Sequence, residues 1–271
     1  DIFRMWVVCS DFTQDLRLGK NILRQLEDVY RKLRNTIRYM LGSLANYRED
    51  EVVSSFSLIK VFILAEAVRR IRCGELALDT EIDVKASDVV DFSVLVFLKE
   101  RAYTLEELLR LMIVYSDNTA TNVLIDYLGY DDINKHIRDL GFEKSLLQRK
   151  MMDFEAKKEG RDNLTTADEM AEFLERLYRK ELLGAEAGEL MLDIMKGQAD
   201  EMDMRLQLPD ELPIARKSGE GDCLNHEIAI VFAESTDYIF CFLSWNGPDN
   251  NQTRQLMSDT SKIVYDFFED K

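Results

Sequence analysis

The sequence predicts an α+β fold in which a sheet drawn from both ends of the chain stands beside an all-helical lobe. Apolar residues near the start recur first at helical and then at strand spacing. The middle is a succession of helices, and the final stretch returns to strands and closes on a helix. The 271 residues, 46% of them hydrophobic, suffice for one large domain or two closely packed lobes, and 3 Pro with 12 Gly leave little room for linkers. A single domain over 1–271 is expected, with an α/β lobe from about 1–56 and 205–271 and a helical lobe over about 57–204.

Each element has a local reason. "MWVVC" within residues 1–18 has the character of a short strand. Over 20–34, Ile22, Leu23, Leu26, Val29, Tyr30 and Leu33 share one face of an amphipathic helix. "TIRYMLGSLANYR" reads as a hairpin about Gly42-Ser43. Ser57 to Arg72 is a helix, apolar nearly all round at its start and stopped by Gly74, which marks it as buried between layers. "TLEE" at 104–107 and "TADE" at 166–169 are capping boxes, opening helices to Val114 and Arg179. "SDNT" interrupts the first, and helix resumes to Leu128. "DDINKHIRDLG" is a further helix ended by Gly141, and another lies near 185–196. "IARKSG", "HEIAIVFA" and "DYIFCFLSW" are strands, and Leu256, Ile263, Val264, Phe267 and Phe268 mark a last helix over about 252–269.

Charge and composition narrow the function. The 51 acids against 35 bases give a net charge of −16, which repels nucleic-acid phosphates and anionic membranes. No apolar run reaches the ~20 residues that cross a bilayer. Cys9, Cys73, Cys223 and Cys241 form no C-x-x-C pair, and His136 and His226 are the only histidines, so neither a metal site nor a cofactor is expected. Reduced thiols are the default. A small-molecule partner and a monomer are expected, and no compartment is indicated.

Three short motifs remain. Ser57-x-x-Lys60 puts a hydroxyl and an ammonium on one helical face, with the helix N-terminus favouring a developing alkoxide and burial lowering the lysine pKa. About one such motif arises by chance in a chain this long, and a capping serine with a solvated lysine is its ordinary reading. Ser116-Asp117-Asn118 stands in a break between helices, where an N-cap is the ordinary reading. Lys217-Ser218-Gly219 ends a strand, where a polar turn is the ordinary reading; Gly219 permits close approach of a substrate backbone.

Their combination is far more specific than any one of them. The order S-x-x-K, S-D-N, K-S-G, with 59 and 101 residues between leading positions, resembles the class A serine β-lactamases and the related penicillin-recognising D,D-peptidases. "SDNTATNVLIDYLG" and "NLTTADEMAEFLERL" are similar to the corresponding family segments, and the resemblance runs from about residue 20 to the end. It implies a β-lactamase/transpeptidase-like fold, with a five-stranded antiparallel sheet flanked by terminal helices. It also implies roles. Ser57 attacks a lactam or ester carbonyl, Lys60 takes or relays its proton, and Ser116 shuttles a proton to the leaving nitrogen. Asn118 holds the substrate amide and orients Lys60, while Lys217 and Ser218 bind the substrate carboxylate beside Gly219. The backbone N–H groups of Ser57 and Glu220 form the oxyanion hole.

The pattern breaks at the deacylating glutamate. The family places it two residues after an arginine, with an asparagine four further on; here Arg149 is followed by Met151 and then Glu155. Asp153 and Glu155 are candidate substitutes off the expected spacing, with solvated or structural carboxylates the ordinary reading. Asp162 is the expected salt-bridge partner of Arg149. His226 falls where members often carry a carboxylate-binding arginine, and is a candidate for ligand contact against a structural role. Val94 and Leu95 are candidates to line the cleft, with core packing the ordinary reading. The function implied is an acyl-serine hydrolase of β-lactams with impaired deacylation. The alternatives are a D,D-peptidase or esterase on the same fold, and a non-hydrolysing β-lactam-binding or sensing module.

Overall fold

In the computed structural model the described residues are 50–199, 204–247 and 249–269. The strand within 1–18, the helix over 20–34 and the hairpin over 36–48 therefore lie outside them. Every described element belongs to one compact unit, Asp50–Lys271.

This unit opens with a two-residue strand, β1 (Val53–Ser54), then a 3-10 turn at Phe56–Ile59 that runs into α1 (Lys60–Arg72). The expected single helix from Ser57 thus begins as a tighter turn, which places Ser57 at its mouth. Every residue of α1 from Lys60 to Val68 is buried, as its all-round apolar character requires. Phe62 packs against Phe142 and Phe173, with ring centroids 5.3 and 5.1 Å away.

A small antiparallel pair comes after α1, β2 (Glu81–Val84) with β3 (Arg101–Thr104), in the register Glu81 to Thr104. The sequence pattern does not predict it. Next come α2 (Leu105–Val114), α3 (Asn118–Leu128), α4 (Tyr130–Asp139) and a short α5 (Phe154–Lys158). Strand β4 (Leu164–Thr165) pairs with β1, and α6 (Ala167–Tyr178) and α7 (Ala185–Lys196) complete the helical lobe. Thr104 and Glu107 form a complete capping box on α2. At α6 only half of the expected box forms. Thr166 accepts from the Glu169 N–H, but the Glu169 carboxylate turns away to accept from the N–H groups of Lys144 and Ser145. A loop with two adjacent N–H donors, that of Ser145 buried, outcompetes the local cap.

Strands β5 (Ile214–Gly221), β6 (Leu224–Val231) and β7 (Tyr238–Leu243) form an antiparallel sheet in that order, and α8 (Asn250–Glu269) closes the chain. One core surrounds α1 within the helical lobe and reaches Ala215 and Ile228 of the sheet. A second lies between the sheet and α8, around Met204, Val231, Phe240 and Met257. The arrangement is the expected α+β one; of the expected five-stranded sheet, strands β5, β6 and β7 are seen among the described residues.

Candidate active site

Two of the seven non-glycine residues with positive φ among the described residues stand where the two layers meet. Phe56, directly before Ser57, has φ +45°, and Ser116 has φ +52°. Non-glycine residues occupy this region seldom and at a cost of order 1–3 kcal/mol. Phe56 is held there by its ring, which fills the space a side chain would need at Gly221: a Cβ would stand 2.3 Å from it. His226 meets the ring edge-on at 6.1 Å and Lys157 Nζ lies 4.6 Å from its centroid.

Lys60 is fully buried, and its Nζ has three acceptors: Ser116 O at 2.7 Å, Asn118 Oδ1 at 2.9 Å and Ser116 Oγ at 3.1 Å. Burial pushes its pKa well below the ordinary lysine value; the nearby Lys217 charge adds to this and Asp117 opposes it. Lys217, also buried, donates to Ser116 Oγ at 3.1 Å and to Ser218 O at 2.9 Å. Two lysine nitrogens therefore point at one hydroxyl oxygen. With both its lone pairs engaged, the Ser116 hydroxyl has its own proton to give elsewhere.

The S-D-N break is braced from behind. Asp117 caps α3 through Ala120 N–H at 2.8 Å and accepts Leu95 N–H at 3.0 Å, while Asn118 Nδ2 donates to Asp91 O at 3.2 Å. Leu95 is buried, so core packing is its role; Val94 is half-buried. On the sheet side, Gly219 runs against the Phe56–Ile59 turn. A Cβ there would lie 3.4 Å from both Ser57 N and Ser55 O, so β5 passes directly beside the Ser57 amide. Ser57 is half-buried and Ser218 receives a long hydrogen bond of 3.3 Å from Gln198.

The remaining candidates fall elsewhere. His226 is buried; the Ser244 N–H donates to its Nδ1 at 3.2 Å, so Nε2 carries the proton and donates to Ser54 O at 2.9 Å. Both nitrogens are thus spent on backbone, and burial lowers its pKa while the bond to Ser54 O opposes this. That is the structural role, not a ligand contact. Asp153 caps α5 through Ala156 N–H at 3.0 Å, and Glu155 is exposed and paired with Lys158. Neither stands as a free base. Glu220 is exposed and bonded to Arg254 Nη2 at 2.7 Å.

Met151 is 7% exposed, with its backbone gripped on both sides by Asn122: Asn122 Oδ1 accepts Met151 N–H at 2.7 Å and Nδ2 donates to Met151 O at 3.1 Å. Sequence reasoning missed Asn122, although it lies one turn beyond Asn118 on the same face of α3. Arg149 Nε meets Asp162 Oδ1 at 2.7 Å, and Ser54 donates to the other oxygen at 2.7 Å. Burial works against the Asp162 charge, yet these hydrogen bonds and the Arg149 and Lys157 charges hold its carboxyl below the usual range. The loop is tied at its neck. No group of three or more metal-ligating side chains occurs among the described residues, and no helix among them is long and apolar enough to cross a membrane.

A model of the β-lactamase enzyme family matches residues 24–268. A β-lactamase from Sphaerobacter thermophilus superposes with a TM-score of 0.75 at 25% identity, covering 82% of this chain and 85% of that one. An ancestral class A β-lactamase gives 0.74 at 25%, covering 82% and 88%. A leucine-to-glutamate variant of PBP-A, in an acyl-enzyme complex with penicillin G, shares the fold with a TM-score of 0.75 at 23% identity, covering 83% and 85%. Among curated proteins, the isoleucine–tRNA ligase of Mesorhizobium japonicum is 42% identical over 98 residues, 35% of this chain and 10% of that protein. The chloroplastic/mitochondrial isoleucine–tRNA ligase of Arabidopsis thaliana is 51% identical over 53 residues, 20% and 5%. The chain spans a tenth or less of the length of these curated relatives.

Proposed function

The chain belongs to the β-lactamase enzyme family, and on that premise we propose that it is an acyl-serine enzyme that opens β-lactams and releases the acyl group slowly. The observation that carries the reading is the pair of amino groups, Lys60 and Lys217, each 3.1 Å from Ser116 Oγ in the break between α2 and α3. Lys60, its pKa lowered by burial, is the group that takes the Ser57 proton. Ser57 Oγ then bonds to the lactam carbonyl carbon, and the oxyanion rests on the N–H groups of Ser57 and Glu220. When the C–N bond breaks, Ser116 passes its proton to the nitrogen and is resupplied from Lys60. Asn118, Lys217 and Ser218 hold the substrate's amide and carboxylate. All these groups come from one chain, so a monomer suffices.

The product of this half-reaction is an ester on Ser57. Its hydrolysis needs a base to activate water. Met151 has none to offer, and Asp153 and Glu155 are committed to a helix cap and a surface ion pair. The same gap favours a second reading, a D,D-peptidase or esterase whose acyl group passes to another acceptor. PBP-A, whose variant holds penicillin G as an acyl-enzyme, has this fold.

Incubation with benzylpenicillin, followed by intact mass, tests the proposal. One whole penicillin mass added per chain, persisting for many minutes and absent in Ser57→Ala, is expected. No adduct overturns it, and nitrocefin turnover near the ~10 per second of an ordinary enzyme overturns slow release. Release of the terminal residue from an acyl-D,D-peptide selects the second reading.

A further inference from the structure

Glu220 presents an electrostatic difficulty. Under the acyl-serine reading its backbone N–H stabilises the oxyanion, and the close run of Gly219 past Ser57 N brings that part of β5 to the nucleophile. Yet the same residue carries a carboxylate. A fixed negative charge on the residue that receives the oxyanion raises the energy of the transition state, because like charges in a partly desolvated site repel.

The start of α8 answers this. Arg254 Nη2 lies 2.7 Å from Glu220 Oε1, and Asn250 Nδ2 donates to the same oxygen at 3.2 Å and to Gly221 O at 3.0 Å. Arg254 supplies the opposite charge. Asn250 ties both the side chain of Glu220 and the backbone of the next residue to the helix. The pair is half-open to solvent, with side-chain exposures of 28% for Arg254 and 52% for Glu220, so it contributes little to stability. Its geometry acts instead on where the Glu220 charge sits and how it is balanced.

We propose that Arg254 and Asn250 are positioning residues for acylation: they draw the Glu220 carboxylate away from the oxyanion hole, neutralise it there, and hold the strand end that carries the second oxyanion-hole N–H. This rests on the acyl-serine reading. Neither residue touches the substrate.

Labelling by a fluorescent penicillin, resolved into a maximal acylation rate and a half-saturating concentration, tests the proposal. Arg254→Met is expected to lower the maximal rate about tenfold with the half-saturating concentration little changed. Glu220→Gln placed in the Arg254→Met background is expected to restore the rate to within about twofold, because the unbalanced charge is gone. A packing role for Arg254 predicts no such rescue. Where Arg254→Met fails to fold, as judged by circular dichroism, Asn250→Asp takes its place. It sets a second carboxylate beside Glu220 and is expected to slow acylation, with recovery in ~0.5 M salt. A native rate in the variants, or a double variant as slow as Arg254→Met, overturns the inference alone. A native chain that takes no label overturns the acyl-serine reading with it.

Discussion

In the proposed reaction, slow release turns on one side chain, Met151. Its backbone is clamped by Asn122 and its side chain is buried. A carboxylate placed at this position starts from a fixed backbone and enters a poorly hydrated site, which raises its pKa toward the range of a useful general base. Met151→Glu is therefore expected to shorten the lifetime of the benzylpenicillin adduct at least ~10-fold, read as the return of intact mass to the unmodified value. An unchanged lifetime would show that the position does not reach the ester. Ser57, Lys60, Ser116 and Lys217 were legible as residues because their types and order are unusual together. Their burial was legible only for Lys60, from the apolar residues around it. His226 was located by counting along the strand, and counting cannot see that Ser54 and Ser244 occupy both its nitrogens.

Among elements, α1 illustrates a buried charge kept for a structural purpose. Glu66 is 1% exposed and accepts from Arg69 at 2.8 Å, Arg70 at 2.6 Å and His136 at 3.1 Å, joining α1 to α4. Desolvation alone raises its pKa. The hydrogen bonds from His136, Arg69 and Arg70 and the Arg69 charge outweigh that and hold it at about 2, against an ordinary 4.5. The outer charges, Glu75 and Asp132, face the arginines rather than Glu66. A carboxyl depressed on folding stabilises the native state above its unfolded pKa, and that contribution is lost as pH falls from about 4.5 toward about 2. Glu66→Gln is expected to lower stability by about 3 kcal/mol at pH 7 in urea denaturation. The gap between native and variant is expected to close as pH falls through that window; a gap independent of pH would mean the ion network contributes nothing. Apart from the short α5, the helices were readable from periodicity and caps. The β2–β3 pair was not, because four-residue strands carry too little pattern, and the half-formed box at Thr166 was not, because the competing donors at Lys144 and Ser145 are distant in sequence.

At the scale of the molecule, the β-lactamase structures cover about four-fifths of the chain, and local matches to isoleucine–tRNA ligases take up about a fifth to a third of it. The compact unit Asp50–Lys271 contains every residue assigned to the reaction. Those residues come from the α1 entry, the α2–α3 break and β5, segments that meet only in the assembled fold. Labelling by a fluorescent penicillin is therefore expected to disappear in urea along the same transition as the tertiary circular-dichroism signal. Labelling that survives beyond that transition would mean that Ser57 reacts without its partners. The sequence by itself determined the fold class, the order of the longer helices and of the three C-terminal strands, and the identities of the candidate nucleophile, base and proton shuttle, since propensity, periodicity and motif order are written along the chain. The tertiary structure alone decided which charges are balanced: that Lys60 and Lys217 share Ser116, that Asp153, Glu155 and His226 are occupied elsewhere, and that Arg254 answers Glu220. Electrostatic and hydrogen-bond partnership depends on distances of a few ångströms between residues far apart in the chain, and no linear pattern encodes them.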